Sequence, residues 1–225
     1  MALEVYLVRH GKTVFNTTGR LQGWSDSPLT PEGRRVAERL GRGLVERGIR
    51  FDAAFSSTAP RAFETARIIL EHSRQNELAL TQLPDLREYC FGGFEGELNS
   101  RLHQIITASL GLPDTDAWLQ AYRQADHHLL AETVSALDEL QLAETENQFV
   151  GRLQNGMAEV AARSRQAGRV LVVSHGMAIT ALLKSIDFQA MEYRSLENAS
   201  VSRLIHDQGG WRIEGIGDTS LLAAE

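Results

Sequence analysis

One stretch near the N-terminus decides how the chain begins to fold: Leu7-Val8-Arg9-His10-Gly11-Lys12-Thr13-Val14-Phe15-Asn16. The apolar run from Val5 to Val8 is long enough for a buried strand, and a cation, an imidazole and a glycine follow it at once. Because glycine tolerates a positive φ, Gly11 is expected to end the strand. Arg9 and His10 can then leave the alternating pleat and face one pocket.

A second apolar stretch ends in the same way, at Leu171-Val172-Val173-Ser174-His175-Gly176. If the two strands are neighbours in a parallel sheet, both imidazoles reach the carboxyl edge, where open α/β sheets bind ligands. A guanidinium is suited to phosphate, and a neutral imidazole can carry a phosphoryl group. The two stretches therefore predict phosphoryl transfer through histidine.

Strands and helices alternate along much of the chain. Strands are predicted at residues 51–55, 78–80, 169–174, 201–205 and 211–216. The first long helix carries a start signature, with Thr30 as N-cap and Pro31 at its first position, and Gly48 is placed to end it. The alternation predicts an α/β fold: a three-layer sandwich with a mostly parallel central sheet and helices on both faces.

A long helical segment interrupts this alternation. Residues 97–166 have helical patterning, with breaks predicted at Gly111-Leu112-Pro113 and around Asn147. Since the segment is too long for a crossover, we expect residues 97–150 to form a helical cap insertion within a single domain, 1–225. The adjacent His127 and His128 would point about 100° apart on a helix, so they are expected on the cap surface and not at a metal site.

Composition excludes several classes of protein. The chain has 225 residues and a formal net charge of −6, which argues against a nucleic-acid or anionic membrane partner. No apolar run approaches the roughly 20 residues that a membrane helix needs. Cys90 is the single cysteine, so no intrachain disulfide can form and a reducing, cytoplasmic compartment is expected. The oligomeric state stays open, and a homodimer is compatible with the sequence.

Further candidates lie between the two histidine stretches. Arg61 falls in the first turn of a helix that starts near Pro60, where a helix N-terminus favours anions. Glu88 lies in a loop with aromatic neighbours, and burial there would raise its pKa, as a general acid requires. Glu95 is a rival for the acid role, and Asp26 is a weaker one.

These motifs, in this order and spacing, resemble the histidine phosphatase superfamily, the phosphoglycerate-mutase-like proteins. The resemblance takes in residues 7–16, 19–30, 56–66, 88–96 and 174–176. It spans nearly the whole chain except the cap. It implies that His10 is the nucleophile and forms a phosphohistidine, and that Glu88 protonates the leaving alcohol and later deprotonates the attacking water.

The resemblance also implies a set of groups that bind the substrate: Arg9, Asn16, Gln22, Gly23, Arg61 and His175. Among these, Arg9, Arg61 and His175 would contact the transferring phosphoryl oxygens, with Asn16 as an additional donor. Neither a metal nor another cofactor is implied. Fixed positive charge would instead stabilise the phosphoryl transition state.

The same pocket could serve a phosphatase, a mutase or a regulator. A phosphoglycerate-type mutase needs further cations, yet residues 97–150 contain only two arginines, Arg101 and Arg123, among abundant acids. We therefore expect a metal-independent phosphomonoesterase for a small phosphorylated metabolite, with Trp24, Phe91 and Phe94 as candidate apolar walls. The alternatives are a phosphoglycerate-type mutase and a non-catalytic regulator that binds a phosphorylated ligand.

Overall fold

The computed structural model describes residues 2–224, so Met1 and Glu225, the two ends of the predicted domain 1–225, lie outside the described residues. Six strands occur in this range: β1 (Leu3–Arg9), β2 (Ala53–Ser57), β3 (Leu80–Leu83), β4 (Arg169–Ser174), β5 (Val201–Asp207) and β6 (Gly210–Asp218). They form one sheet in the order β3-β2-β4-β1-β5-β6. Strands β1 to β4 pair in parallel, whereas β5 pairs antiparallel with β1 and β6 pairs antiparallel with β5. The predicted mostly parallel sheet is therefore confirmed.

The described residues contain eight α-helices: α1 (Val14–Thr18), α2 (Pro31–Glu46), α3 (Pro60–His72), α4 (Asn99–Ser109), α5 (Thr115–Gln124), α6 (Leu129–Leu137), α7 (Glu146–Arg163) and α8 (Gly176–Ile186). Two 3-10 turns, Pro84–Leu86 and Gly92–Phe94, flank the loop that carries Glu88. Among residues 2–224 no helix is long and apolar enough to cross a membrane.

Both faces of the sheet are covered by helices. The alternating side chains of β1 divide between two apolar clusters. Val5 and Leu7 belong to the cluster that contains Leu153 of α7 and Leu183 of α8. On the opposite face, Tyr6 and Val8 of β1 belong to the cluster that contains Leu40 of α2 and Ile69 of α3. The predicted three-layer sandwich is therefore confirmed.

The register between β1 and β4 places the two histidine stretches side by side. Arg9 pairs with Ser174, and the backbone N–H of His10 donates to the carbonyl of Ser174 at 3.0 Å. Consequently His10 and His175 each follow directly on neighbouring parallel strands. The prediction that both imidazoles reach one carboxyl edge is confirmed.

Gly11 has a different role from the one expected, because its φ is not positive. A Cβ at this position would lie 2.6 Å from the carbonyl oxygen of Gly33. The backbone N–H of Gly11 donates to Thr65 Oγ1 at 3.0 Å. Glycine is therefore required by the close approach of two backbone segments. The first turn of α2 lies directly against the loop that carries the nucleophile candidate.

The local signals around α2 are confirmed. Thr30 Oγ1 accepts the N–H of Gly33, Pro31 occupies the first helical position, and Gly48 follows the helix with a φ of +64°. Three details of the chain differ from expectation: α1 was not predicted, β2 lies at 53–57 instead of 51–55, and β3 lies at 80–83 instead of 78–80. The short α1 depends on a capping box at Thr13.

Helices α4, α5 and α6 lie within residues 97–150, the segment predicted to form the cap. The predicted break at Gly111 is present, and Gly111 has a φ of +64°. The break expected around Asn147 lies instead at residues 138–145, because Thr145 caps α7 with its hydroxyl. A further interruption at residues 125–128 was not predicted.

The expectation that both cap histidines lie on the surface is wrong for His128. His127 is half-exposed and bonds to Asp126 and Glu132, but the side chain of His128 is only 1% exposed. Its Nδ1 accepts the N–H of Ala131 and so caps α6. Four aromatic rings surround it, those of Tyr89, Tyr122, Phe149 and Tyr193. Burial lowers the pKa of His128 to about 4.

We predict that His128 makes the fold acid-sensitive. Below pH 6.5 the unfolded chain takes up a proton on this ring while the folded chain does not until about pH 4, so stability falls with falling pH across that window. At about 1.36 kcal/mol per pKa unit the loss is about 3 kcal/mol. His128→Asn, which retains a capping acceptor, should lose correspondingly less when urea unfolding is compared at pH 7 and pH 4. Equal losses in the two proteins would contradict this assignment.

Candidate active site

Four side chains from distant segments meet at the carboxyl edge of the sheet: His10, Arg61, Glu88 and His175. His10 follows β1, His175 is the N-cap residue of α8, and Arg61 lies in the first turn of α3. The rings of His10 and His175 have their centroids 5.2 Å apart. All four side chains are almost completely buried, and that of His10 is 3% exposed.

The hydrogen bonds of His10 determine which nitrogen can act as a nucleophile. Nδ1 lies 2.8 Å from the carbonyl oxygen of Gly11, so Nδ1 carries the proton and donates it. Nε2 is then unprotonated, and the Nε–H of Arg61 points at it from 3.3 Å. This contact is weak. An electron-poor atom that took the place of the Arg61 N–H beside Nε2 would face the Nε2 lone pair directly.

Burial lowers the pKa of His10 well below its usual value, and the charges of Arg61 and Arg9 act in the same direction. The hydrogen bond to Gly11 opposes this effect only partly. His10 is therefore neutral at physiological pH, which nucleophilic attack requires.

Arg61 combines its charge with a structural role. Its side chain is fully buried, and four of its N–H groups bind the loop before α2 at 2.6–3.1 Å: to Ser25 O, Asp26 Oδ1, Gln22 O and Gly23 O. Only Nε–H faces His10. The carbonyl dipoles and the single carboxylate of Asp26 compensate the buried charge.

Two buried nitrogens beside His10 have no hydrogen-bond partner among the described residues. They are Nε of Arg9 and Nδ1 of His175. Arg9 is anchored through its NH1 group to Ser195 Oγ and to the carbonyl of Leu196. Buried donors are almost always satisfied in proteins, so two unsatisfied ones at a single site indicate a place for an anionic ligand.

Glu88 lies opposite these donors and is held by backbone N–H groups. Oε1 accepts from Tyr89 and Ala178 at 3.0 and 2.9 Å, and Oε2 accepts from Met177 at 3.0 Å. Its carboxylate thus caps the N-terminus of α8. Burial raises the pKa of Glu88 above its usual range, although the backbone donors and Arg61 act in the opposite direction. The sequence predicted this direction.

The rival carboxylates are committed elsewhere. Glu95 accepts five hydrogen bonds of 2.6–3.1 Å, from the backbone N–H groups of Gly23, Trp24, Ser25 and Phe91 and from the Ser25 hydroxyl. It therefore fixes the loop that Arg61 also binds. Asp26 pairs with Arg61 at 2.6 Å. The geometry favours Glu88 over both as the proton donor.

The remaining predicted binding residues lie in the loop between β1 and α2. Gln22 Oε1 accepts from Thr13 and Ser27, while its Nε2 is buried without a partner among the described residues. A Cβ at Gly23 would lie 2.0 Å from the carbonyl oxygen of Tyr89, so only glycine fits. Asn16 uses Oδ1 to complete the capping box of α1. Their contacts with a substrate stay predictions.

Comparisons with known proteins can now be set beside this geometry. The sequence profile of the histidine phosphatase superfamily (branch 1) matches residues 5–219. The chain belongs to this superfamily. It is 32% identical to a protein of Erwinia tasmaniensis named probable phosphoglycerate mutase GpmB, over 98% of this chain and 95% of the relative.

Solved structures of the histidine phosphatase superfamily share the fold. A phosphoglycerate mutase from Bacillus anthracis superposes with a TM-score of 0.91 at 35% identity, covering 98% of this chain and 95% of that one. The alpha-ribazole phosphatase from Shigella flexneri superposes with a TM-score of 0.71 at 21% identity, covering 99% of each chain. The second likeness shows the shared fold alone, and membership of the superfamily is what indicates an enzyme.

Two of the three predicted apolar walls, Phe91 and Trp24, have different surroundings in this member of the histidine phosphatase superfamily. Phe91 is buried and packs edge-on against Tyr89 at 5.0 Å, so its role is packing. Trp24 is 44% exposed, and its Nε1 donates to the carbonyl of Glu88 at 3.1 Å. Trp24 therefore lies beside the backbone of the acid candidate, and its contact with a leaving group stays a prediction.

The sequence motifs gave no role to Ser57, the last residue of β2. Its Oγ accepts the N–H of Ala59 and lies 2.8 Å from Nε2 of His175. Among the described residues that nitrogen is the one acceptor for the Ser57 hydroxyl. With Nε2 as acceptor, the proton of neutral His175 resides on Nδ1, the nitrogen without a partner. Ser57 thus orients a hydrogen-bond donor within the site. The Ser56-Ser57 pair at a strand end was the only available signal.

We predict that Ser57→Ala lowers kcat/KM about tenfold, because a hydrogen bond worth about 1 to 1.5 kcal/mol no longer fixes the tautomer of His175. Ser56→Ala is the matched control on the same strand, since the buried Ser56 Oγ has no partner among the described residues. Steady-state kinetics of both variants would check this. Full activity in Ser57→Ala would contradict the assigned tautomer.

Proposed function

We propose that this protein is a cytoplasmic, metal-independent phosphomonoesterase that acts on a small phosphorylated metabolite through a phosphohistidine at His10. One observation carries the proposal. The unprotonated Nε2 of His10 faces the Arg61 guanidinium, while the Nδ1 proton is bound by the carbonyl of Gly11. An imidazole held in this tautomer and surrounded by cations is prepared to attack phosphorus.

In the first step Nε2 of His10 bonds to phosphorus and the bond from phosphorus to the ester oxygen breaks. Arg9, Arg61 and His175 stabilise the charge on the equatorial oxygens. The leaving oxygen takes a proton from Glu88, so an alcohol departs and a carboxylate remains.

The contacts of Glu88 indicate which oxygen carries that proton. Oε1 accepts two backbone N–H groups, whereas Oε2 accepts one. A proton therefore fits on Oε2, which has the more available lone pair. In the second step the same carboxylate takes a proton from water as the water attacks phosphorus, and His10 is released.

The distribution of cations supports hydrolysis over transfer to a second alcohol. The two arginines of residues 97–150, Arg101 and Arg123, are both exposed. The buried Lys184 donates to the carbonyls of Phe188 and Met191. The uncommitted buried donors beside His10 thus suit a single phosphoryl group.

A mutase is the second candidate, because relatives at 31–32% identity are named phosphoglycerate mutase. Such a reaction would need a cation near the acid for the second anionic group of the substrate. Arg87 is the available one: its guanidinium stacks on Trp24 at 4.6 Å, and its Nε is buried without a partner in residues 2–224.

We predict that the wild-type protein hydrolyses p-nitrophenyl phosphate in the presence of EDTA and does not interconvert 2- and 3-phosphoglycerate. His10→Ala should abolish hydrolysis while the circular dichroism spectrum is retained, since the ring attacks phosphorus. Phosphoglycerate interconversion would favour the mutase. Phosphate binding without turnover would favour the regulator, and hydrolysis by His10→Ala would exclude the covalent route.

We also predict that Glu88→Gln separates substrates by their leaving group. The loss of kcat/KM should be about a hundredfold or more for an alkyl phosphate and small for an activated aryl phosphate, which leaves without a proton. In the wild type, the rate with alkyl phosphate should fall as pH rises through the raised pKa of Glu88, because only the protonated form donates. Equal losses on both substrates would assign the acid role to another group.

A further inference from the structure

The backbone carbonyl groups of the loop that carries Glu88 are bound by side chains and not by the backbone of a helix or strand. Four consecutive carbonyls, beginning at Asp85 within the 3-10 turn Pro84–Leu86, are bound by side chains from other elements. Ser174 Oγ donates to Leu86 O at 2.8 Å. The other three carbonyls, those of Asp85, Arg87 and Glu88, all accept from one residue of α7, Arg152.

Arg152 uses all five of its N–H groups in this one place. NH1 donates to Asp85 O and Arg87 O at 3.1 and 2.6 Å, and NH2 donates to Glu88 O at 2.7 Å. The other two N–H groups form a bidentate pair with the Glu144 carboxylate at 2.6 Å each. Glu144 in turn accepts the N–H of Cys90 at 2.9 Å, on the far side of Glu88.

We infer that Arg152, together with Glu144, is a positioning residue for Glu88. The inference rests on the proposed function, in which Glu88 is the general acid. The backbone of Glu88 is clamped by α7 through Arg152, and its carboxylate is clamped by the N-terminus of α8. The acid is therefore fixed at both ends, although it lies in a loop.

The packing around the pair agrees with this role. A Cβ at Gly156, one turn after Arg152, would lie 3.0 Å from Asp85 Cβ, so α7 lies close against the loop. Both charged side chains are largely buried, with 14% exposure for Arg152 and 12% for Glu144. A lysine keeps the charge but lacks the planar fork that reaches three carbonyls and a carboxylate at once. Arg152→Lys should therefore loosen the loop without leaving Glu144 entirely unpaired.

The test compares kcat/KM for an alkyl phosphate and for p-nitrophenyl phosphate, because this ratio reports the step in which the alcohol leaves. We expect Arg152→Lys to reduce the alkyl phosphate value by about tenfold or more, within the range of general acid catalysis, and the activated aryl value far less. Arg163→Lys is the matched control: it lies on the same helix, is 54% exposed and pairs with Glu159. It should change neither value.

Glu144→Gln is a second, milder variant that keeps the side-chain shape, and it should show the same separation of substrates even if Arg152→Lys does not fold. In a Glu88→Gln background, Arg152→Lys should cause no further leaving-group-dependent loss, because the acid that it positions is absent. Equal losses on both substrates in the folded variants would mean a purely structural role and would overturn the inference. If Glu88→Gln itself fails to separate the substrates, the acid role belongs to another group and that part of the proposed function fails instead, so the two failures are distinguishable.

Discussion

The parallel pairing of β1 with β4 is the constraint on which the site depends. Its register sets Arg9 opposite Ser174, so the residues that follow, His10 and His175, leave the sheet side by side. A shift of one residue would turn the apolar side chains of β1 toward the wrong helices. The same packing that stabilises the sandwich therefore also fixes the distance between the two imidazoles.

Burying positive charge at this edge costs desolvation free energy. The fold offsets this cost with more backbone carbonyl groups than carboxylates. Arg61 binds three carbonyls and a single carboxylate, and Arg152 binds three carbonyls and a single carboxylate as well. Each of these two arginines is therefore paired with one carboxylate, and carbonyl groups satisfy its other bound donors. Arg9 is bound by a hydroxyl and a carbonyl instead, so its charge stays available to an anionic ligand.

The sequence predicted those parts of the fold and site that local pattern determines. The Thr30 cap and the repeated His-Gly strand ends depend on neighbours in the chain, and both were interpreted correctly. The apolar runs indicated the strands but not all of their bounds, since two strands lie at 53–57 and 80–83 instead of 51–55 and 78–80. Gly11 and His128 were misread because a close backbone approach and burial under four aromatic rings arise only from tertiary packing. The role of Arg152 could not be predicted from the sequence. An arginine on an amphipathic helix is expected to be solvent-exposed, and its carbonyl partners are known only from the fold.

The two ends of the reaction are supported by different parts of the architecture. Strand ends and the start of α3 hold the groups that would bind the phosphoryl oxygens, which are the same for every phosphomonoester. Helices α7 and α8 hold Glu88, the proposed proton donor to the leaving oxygen. Since α7 begins at Glu146, inside the segment 97–150, changes in that segment can reach Glu88 through Arg152 without disturbing the strand ends. Such an arrangement allows the leaving group to vary while the phosphoryl chemistry stays fixed, which agrees with phosphatases and mutases sharing this fold.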